Sequence, residues 1–266
     1  MDGCKKVLEE AVRLARDNIH GSTWITNALC DLALAAKGYD CLNQVANTVM
    51  AGHMGMIQVE NLCRILLDTP ENIQNSIDKF RNIQLQGKTS AIRDFRSAVF
   101  SMFSGKDLRM MTISDSSAVR DAIIAVSGQV KEVVIGESRP AFEGRRLAGF
   151  LADRGIPCTV TVDVALFSLV KEMDFVVLGC DAVFADHFVN KIGSAMLTSA
   201  AQALNKRVFV LADRTKFSDK PLNYKPKFGK PTEIWPQAKP GINLINPYLE
   251  TVEIMPVVRI LGLDVT

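Results

Sequence analysis

The feature that most restricts the fold is a change of hydrophobic rhythm at Gly105. Before it, apolar residues recur at helical spacing: in "CKKVLEEAVRLARDNI" Val7, Leu8, Ala11, Val12, Leu14 and Ala15 fall on one broad face. "GSTWITNALCDLALAAKG" repeats the pattern until Gly38 stops it. Further helices are expected at Cys41–Gly52, Met56–Leu67, Glu71–Leu85 and Ser90–Phe103, with Thr69-Pro70 and Gly105 as breaks. After Gly105, short apolar runs alternate with helices of about a dozen residues, the pattern of βαβ units around a parallel sheet. Strands are predicted at Leu108–Ile113, Glu132–Gly136, Cys158–Val162, Phe175–Gly179 and Val208–Ala212. The intervening helices are Ser116–Val126, Glu143–Asp153, Val164–Lys171 and Gly193–Asn205. The expected organisation is a helical domain over 1–104 and an α/β domain over 105–266, within a length that can bury a substantial core.

Charge and cysteine usage narrow the function classes. A net charge of +2 supplies no field strong enough to make nucleic acid the main partner, whereas a phosphorylated small molecule needs only local positive charge. The six cysteines form no CxxC pair and lie far in sequence from the three histidines, so neither a metal site nor a metal cofactor is expected. "MDGCKKVLEE" does not read as a signal peptide and no apolar stretch is long enough to cross a bilayer. A cytoplasmic protein with no membrane partner is the expectation.

A doubly wound sheet places its ligand crevice at the carboxyl ends of its strands, and four of the predicted ends carry polar clusters. "TISDSSAV" offers Ser114, Ser116 and Ser117 at a helix N-terminus, where N–H groups and the helix dipole favour an anion; simple capping is the alternative. "GESRPAFEGRR" carries Arg139 and Arg145, which can fork onto phosphate oxygens, with Glu137 and Glu143 to hold their planes or bond sugar hydroxyls. A surface ion-pair network would look the same. "GCDAVFADHFVNKIGS" puts Asp181 after an apolar run and Asn190 and Lys191 at the expected start of the next helix. Those groups suit acid–base work on a polyol or sugar, the alternative for Asp181 being a cap. "ADRTKFSD" follows the last predicted strand. In the helical half, "HGST" places His20, Gly21 and Ser22 at a helix start that could face an anion or be a plain turn.

Taken in order, "GESRPAFEGRRLA", "LGCDAVFADHFVNKIGS", "RVFVLADRTKF" and "INPYLETVEIMP" resemble the alpha, beta and delta type subunit family of translation initiation factor 2B. This family includes ribose-1,5-bisphosphate isomerase and methylthioribose-1-phosphate isomerase. The resemblance covers nearly the whole chain and implies an N-terminal helical bundle followed by a Rossmann-like parallel-sheet domain. It also implies association into a homodimer or higher homo-oligomer, with initiation factor subunits as possible partners. The isomerases of the family use a cysteine after the first strand of that domain and the aspartate of a "GAD" motif as their acid–base pair. The aspartate corresponds to Asp181, and the cysteine position falls on Ser114.

That exchange matters, because an unperturbed thiol near pKa 8.5 can trade a proton at neutral pH and a serine hydroxyl cannot without a base beside it. Asp115 is adjacent, but neighbours on an extended strand point apart, and the same alternation turns Cys180 away from Asp181. "ADHFVNK" replaces a glycine-containing turn, and "HGSTW" replaces an arginine-glycine-alanine turn that gives the isomerases a cationic phosphate contact. The sequence therefore leads to a 2B-related regulatory protein that binds a sugar phosphate or nucleotide. The alternative is an active aldose–ketose isomerase acting on a 1-phosphorylated ribose such as ribose 1,5-bisphosphate, with Asp181 and Ser114 as the catalytic residues.

Overall fold

The computed structural model describes residues 2–17, 20–103, 105, 107–219 and 228–262, with Asp2 through its backbone alone. The chain opens with α1 (Asp2–Ala15), α2 (Ser22–Ala35), α3 (Leu42–Gly52) and α4 (Ile57–Asp68). Their apolar stripes close on each other: Ile25, Leu29, Val45, Val49, Leu62 and Leu66 are fully buried in one cluster. Burial of such side chains stabilises by roughly 1.5–3 kcal/mol each.

The two helices expected at Glu71–Leu85 and Ser90–Phe103 are one helix, α5 (Ile73–Phe103), of 31 residues. Gly87 does not break it; the glycine serves close packing. A Cβ built there would stand 2.7 Å from Asp213 Cβ and 3.1 Å from its Cα, so the bare backbone lets α5 approach the turn that holds Asp213. Gly87→Ala should therefore destabilise by about 1–3 kcal/mol through overpacking, although alanine alone would favour the helix by ~1 kcal/mol. An unchanged or raised urea midpoint would contradict that packing.

The helix α5 is shared between two cores. Its first half adds Ile73, Ile77 and Phe80 to the helical cluster, and its second half adds Ala91, Phe95, Ala98 and Val99 to a cluster under the sheet. There Phe95 packs edge-on against Phe175 and Phe209 at 5.9 and 5.4 Å between ring centroids.

The sheet consists of β1 (Leu108–Thr112), β2 (Val130–Gly136), β3 (Cys158–Thr161), β4 (Phe175–Leu178), β7 (Arg207–Leu211) and β9 (Val258–Leu261). They are parallel throughout, in the order β3-β2-β1-β4-β7-β9. All four residues of β4 are buried, as a strand covered on both faces requires. Helices α6 (Ser117–Ala125), α7 (Glu143–Ala152), α8 (Ala165–Leu169) and α9 (Ser194–Ala203) make the connections. The chain leaves β1 toward one side and arrives at β4 on the other, so a crevice opens between the carboxyl ends of these two strands.

Two features depart from the sequence expectation. A sixth parallel strand, β9, closes the edge, and a second, antiparallel sheet forms from β5 (Ala182–Val183), β6 (His187–Lys191) and β8 (Leu249–Glu253), in the order β5-β6-β8. Asn190 and Lys191, expected at a helix start, therefore lie on β6, and the helix begins only at Ser194, after Gly193 at φ +101°.

The helical half is fastened to the sheet by buried polar contacts. Gln58 Nε2 donates to Thr215 Oγ1 at 2.6 Å and to the Asp213 carboxylate at 3.2 and 3.3 Å. Asn61 Nδ2 donates to the carbonyls of Thr215 and Phe217 at 2.9 and 3.2 Å. These bonds tie α4 to the turn after β7.

Candidate functional site

A cavity of about 400 Å³ occupies the crevice at the ends of β1 and β4 and is closed by the start of α2 and by the second sheet. Its first wall is the β1–α6 turn. Ser114 sits there at φ +72°, its N–H donating to Ser138 Oγ at 2.7 Å, while Ser138 Oγ donates to the Gly136 carbonyl at 3.0 Å. The Asp163 carboxylate accepts the N–H groups of Ser138 and Arg139, both at 2.7 Å, and so fixes the loop after β2 on which Ser114 rests. Ser116 caps α6 without a side-chain bond, which leaves the helix N-terminus open toward the cavity. Asp115 instead takes both forks of Arg120 and lies 3.6 Å from Arg146, gathering two guanidinium groups along this wall.

The second wall is Gly179-Cys180-Asp181. Gly179 lets the strand end pass the first wall, since a Cβ there would meet Ser116 Oγ at 2.6 Å. Asp181 is held by its backbone, whose N–H donates to the Val189 carbonyl at 2.8 Å, and among the described residues nothing donates a hydrogen bond to its carboxylate. Lys216 lies beneath it, 6% exposed, with Nζ donating to the Cys180 carbonyl at 2.8 Å. Burial opposes the Lys216 charge, but the neighbouring Asp213 and Asp181 carboxylates favour it, so its pKa is raised and it is an ammonium ion at neutral pH.

Cys180 does not join the site as a proton carrier. Burial pushes its thiol up to about 12, and Sγ faces the Leu211 carbonyl at 3.7 Å. Iodoacetamide should accordingly leave Cys180 unmodified in the folded protein at neutral pH. Rapid modification mapped to Cys180 by mass spectrometry would contradict the assignment.

The remaining walls bring the second sheet and α2 to the cavity. Lys191 Nζ pairs with Glu143 Oε1 at 2.8 Å and lies 5.0 Å above the centre of the Tyr248 ring, and Asn190 Nδ2 donates to Ser194 Oγ at 2.9 Å. At the start of α2, Gly21 is the cap without a side-chain bond, and a Cβ there would meet nothing within 4 Å. His20 Nδ1 and Asp17 Oδ2 lie 2.8 Å apart, and the His20 ring stacks on Trp24.

The cavity thus collects His20, Gly21 and Ser22 from the helical half, and Ser114, Ser116, Ser117, Asp181, Asn190 and Lys191 from the sheet half. It does not include Glu137, Arg139 or Arg145. The phase of α7 explains this. Glu143 and Arg146, three residues apart, share the face toward the cavity, whereas Arg145 turns away, pairs with Glu137 at 2.6 Å and lies over Phe142 at 3.9 Å. Arg139 stands over the same ring at 4.8 Å, so both arginines lie against Phe142 and outside the cavity lining.

Among the described residues, the cations that line the cavity besides Lys191 are Arg120, Arg146 and Lys216, none of which the strand-end reading singled out. Lys216 was within reach of it, since "ADRTKFSD" was recognised as a polar strand end. Arg120 and Arg146 carry no such signal, because only the helix phase brings them round to Asp115. Among the described residues no group of three or more His, Cys, Asp or Glu side chains is placed to hold a metal ion.

A doubly wound domain with an anion-compatible crevice at its switch point, roofed by a helical bundle, defines the class of protein. Within that class the chain belongs to the Initiation factor 2 subunit family, which it matches over residues 29–254. A putative translation initiation factor eIF-2B subunit 2-like protein of Pyrococcus abyssi is 27% identical over 223 residues, covering 80% of this chain and 79% of that protein. A ribose 1,5-bisphosphate isomerase of Archaeoglobus fulgidus is 35% identical over 116 residues, which span 42% of this chain and only 37% of the isomerase. The crystal structure of a translation initiation factor eIF-2B from Pyrococcus horikoshii shares the fold, with a TM-score of 0.80 over 97% of this chain and 95% of that one, at 21% identity.

Proposed function

We propose that this protein binds a phosphorylated ribose derivative, a sugar phosphate or a nucleotide, as a regulatory ligand and does not isomerise it efficiently. The observation that carries the reading is the meeting of two helix N-termini, those of α2 and α6, in one cavity with Arg120, Arg146, Lys191 and Lys216. Neither terminus has a side-chain cap, so both present N–H groups to an anion, and the cations add charge-assisted donors. Asp181 and Asn190, in the same cavity, suit sugar hydroxyls.

Isomerisation needs a second proton carrier beside Asp181, and the side chains at the ends of β1 and β4 do not provide one. Ser114 is a hydroxyl, Asp115 is held by two guanidinium groups, and Cys180 is a neutral buried thiol. The active isomerase remains the second reading, favoured by the presence of Asp181, to whose carboxylate no described residue donates a hydrogen bond. In the regulatory reading the ligand acts by altering association, with further copies of this chain or with initiation factor subunits.

Calorimetry with ribose 5-phosphate and ribose 1,5-bisphosphate tests the proposal. Binding should be saturable and weakened at least about tenfold by Arg146→Gln, which removes a charge-assisted donor, and far less by Arg145→Ala outside the crevice. Equal losses for both variants, or no binding by the native protein, would sink it.

A further inference from the structure

Away from the cavity, α1 and α3 run side by side in the helical bundle. A side chain at Gly52, the last residue of α3, would run into the Ala15 backbone at the end of α1, and His53 Nε2 lies 2.8 Å from the Leu14 carbonyl. At the other end a side chain at Gly3 would meet the Tyr39 ring, so the two helices lie parallel and close along their length. Beside that contact stand Cys4, on α1, and Cys41, the residue that caps the start of α3. Both are free cysteines, and their thiols share a hydrogen bond.

The other four sulfurs point elsewhere. Cys63, Cys158 and Cys180 turn theirs to the carbonyls of Ala46, Ile156 and Leu211 at 3.3, 3.3 and 3.7 Å, and Cys30 is hydrogen-bonded to Arg81. Cys4 is half-buried, whereas Cys41 is 3% exposed, and burial together with the Cys4 contact pushes the Cys41 thiol up to about 11. An oxidant arriving from solvent therefore meets Cys4 first, with Cys41 directly behind it, as an attacking thiol and its resolving partner are arranged.

We propose that Cys4 and Cys41 are an oxidative modification site, at which a reversible disulfide locks α1 to α3. The oxidant is a small-molecule disulfide such as glutathione disulfide. Cys4 loses its proton to solvent and attacks one sulfur of the oxidant; one glutathione departs as a thiolate and the other stays bonded to Cys4. Cys41 loses its proton in turn, attacks the Cys4 sulfur and expels the second glutathione. Two protein thiols are oxidised while one small disulfide is reduced to two thiols. The new bond closes a loop of about 40 residues, which restricts the unfolded chain and stabilises the bundle.

The test incubates the full chain with glutathione disulfide, blocks the remaining thiols and maps an unreduced digest by mass spectrometry. A Cys4–Cys41 peptide pair should be the predominant linkage and should be lost with dithiothreitol. The oxidised protein should melt about 5–10 °C above the reduced one. Cys41→Ala should stop at the mixed disulfide, with glutathione retained on Cys4 and no rise in melting temperature. Cys4→Ser, at the half-buried position, supplies a second comparison if the buried variant does not fold, and should show neither linkage nor rise. Three results would overturn the site: glutathione retained on Cys4 of the native protein with no Cys4–Cys41 linkage, a linkage that forms only in urea, or a linked protein that melts no higher than the reduced one.

Discussion

Lys191→Met is expected to lower the free energy of unfolding by about 3–5 kcal/mol, because it strips the partner from a buried carboxylate. The Lys191 side chain is 3% exposed and that of Glu143 10% exposed. Glu143 Oε2 already lacks a hydrogen-bond partner, so the carboxylate depends on the ammonium group at Oε1. Urea denaturation would read the loss as a lower midpoint. Adding Glu143→Gln should recover a substantial part of it, since a neutral amide costs far less to bury than an unpaired anion. A single-variant loss below about 1 kcal/mol would fit an exposed ion pair instead, and would mean that β6 does not seat against α7 as described.

Ser114→Cys is expected to raise isomerase turnover on ribose 1,5-bisphosphate by about two to four orders of magnitude, the usual worth of a positioned acid–base group. The residue lies at the mouth of β1, just before the N-terminus of α6, and shares the cavity with Arg120 and Arg146. A helix N-terminus and nearby guanidinium groups lower a thiol's pKa, so the new side chain would carry a proton-accepting thiolate at neutral pH. The variant keeps the backbone of Ser114, whose N–H is already fixed on Ser138. A coupled assay for the ketose product reads the outcome. Retained binding with no gain in turnover would show that the missing thiol is not what separates this cavity from an isomerase.

Much of this site was legible because a parallel sheet gathers its functional groups at strand ends, and strand ends can be located from apolar runs. The buried run of β4 fixed the position of Asp181, and β1 fixed Ser114 and the α6 terminus. What escaped depends on distant parts of the chain. β8, "LETVE", is short and half polar, so nothing local marks it as a strand; without it, Asn190 and Lys191 beside Gly193 resemble a helix start. The gap left between the helices expected at Glu71–Leu85 and Ser90–Phe103 holds Gly87, whose close packing depends on Asp213, far along the chain. The arginines of "GESRPAFEGRR" were placed by composition. Their orientation depends on the phase of α7 and on the Phe142 ring, which turns Arg139 and Arg145 outward and leaves Arg146 inside.

The central claim is that the cavity holds a phosphorylated ribose without converting it, and phosphorus NMR of ribose 1,5-bisphosphate mixed with stoichiometric native protein tests binding and conversion together. The account predicts phosphate resonances shifted or broadened by binding, with no ketose bisphosphate signal appearing over hours. Growth of the ketose bisphosphate signal, abolished by Asp181→Asn, would contradict it and make the protein an isomerase. Resonances identical to those of the free sugar phosphate would contradict it in the other direction.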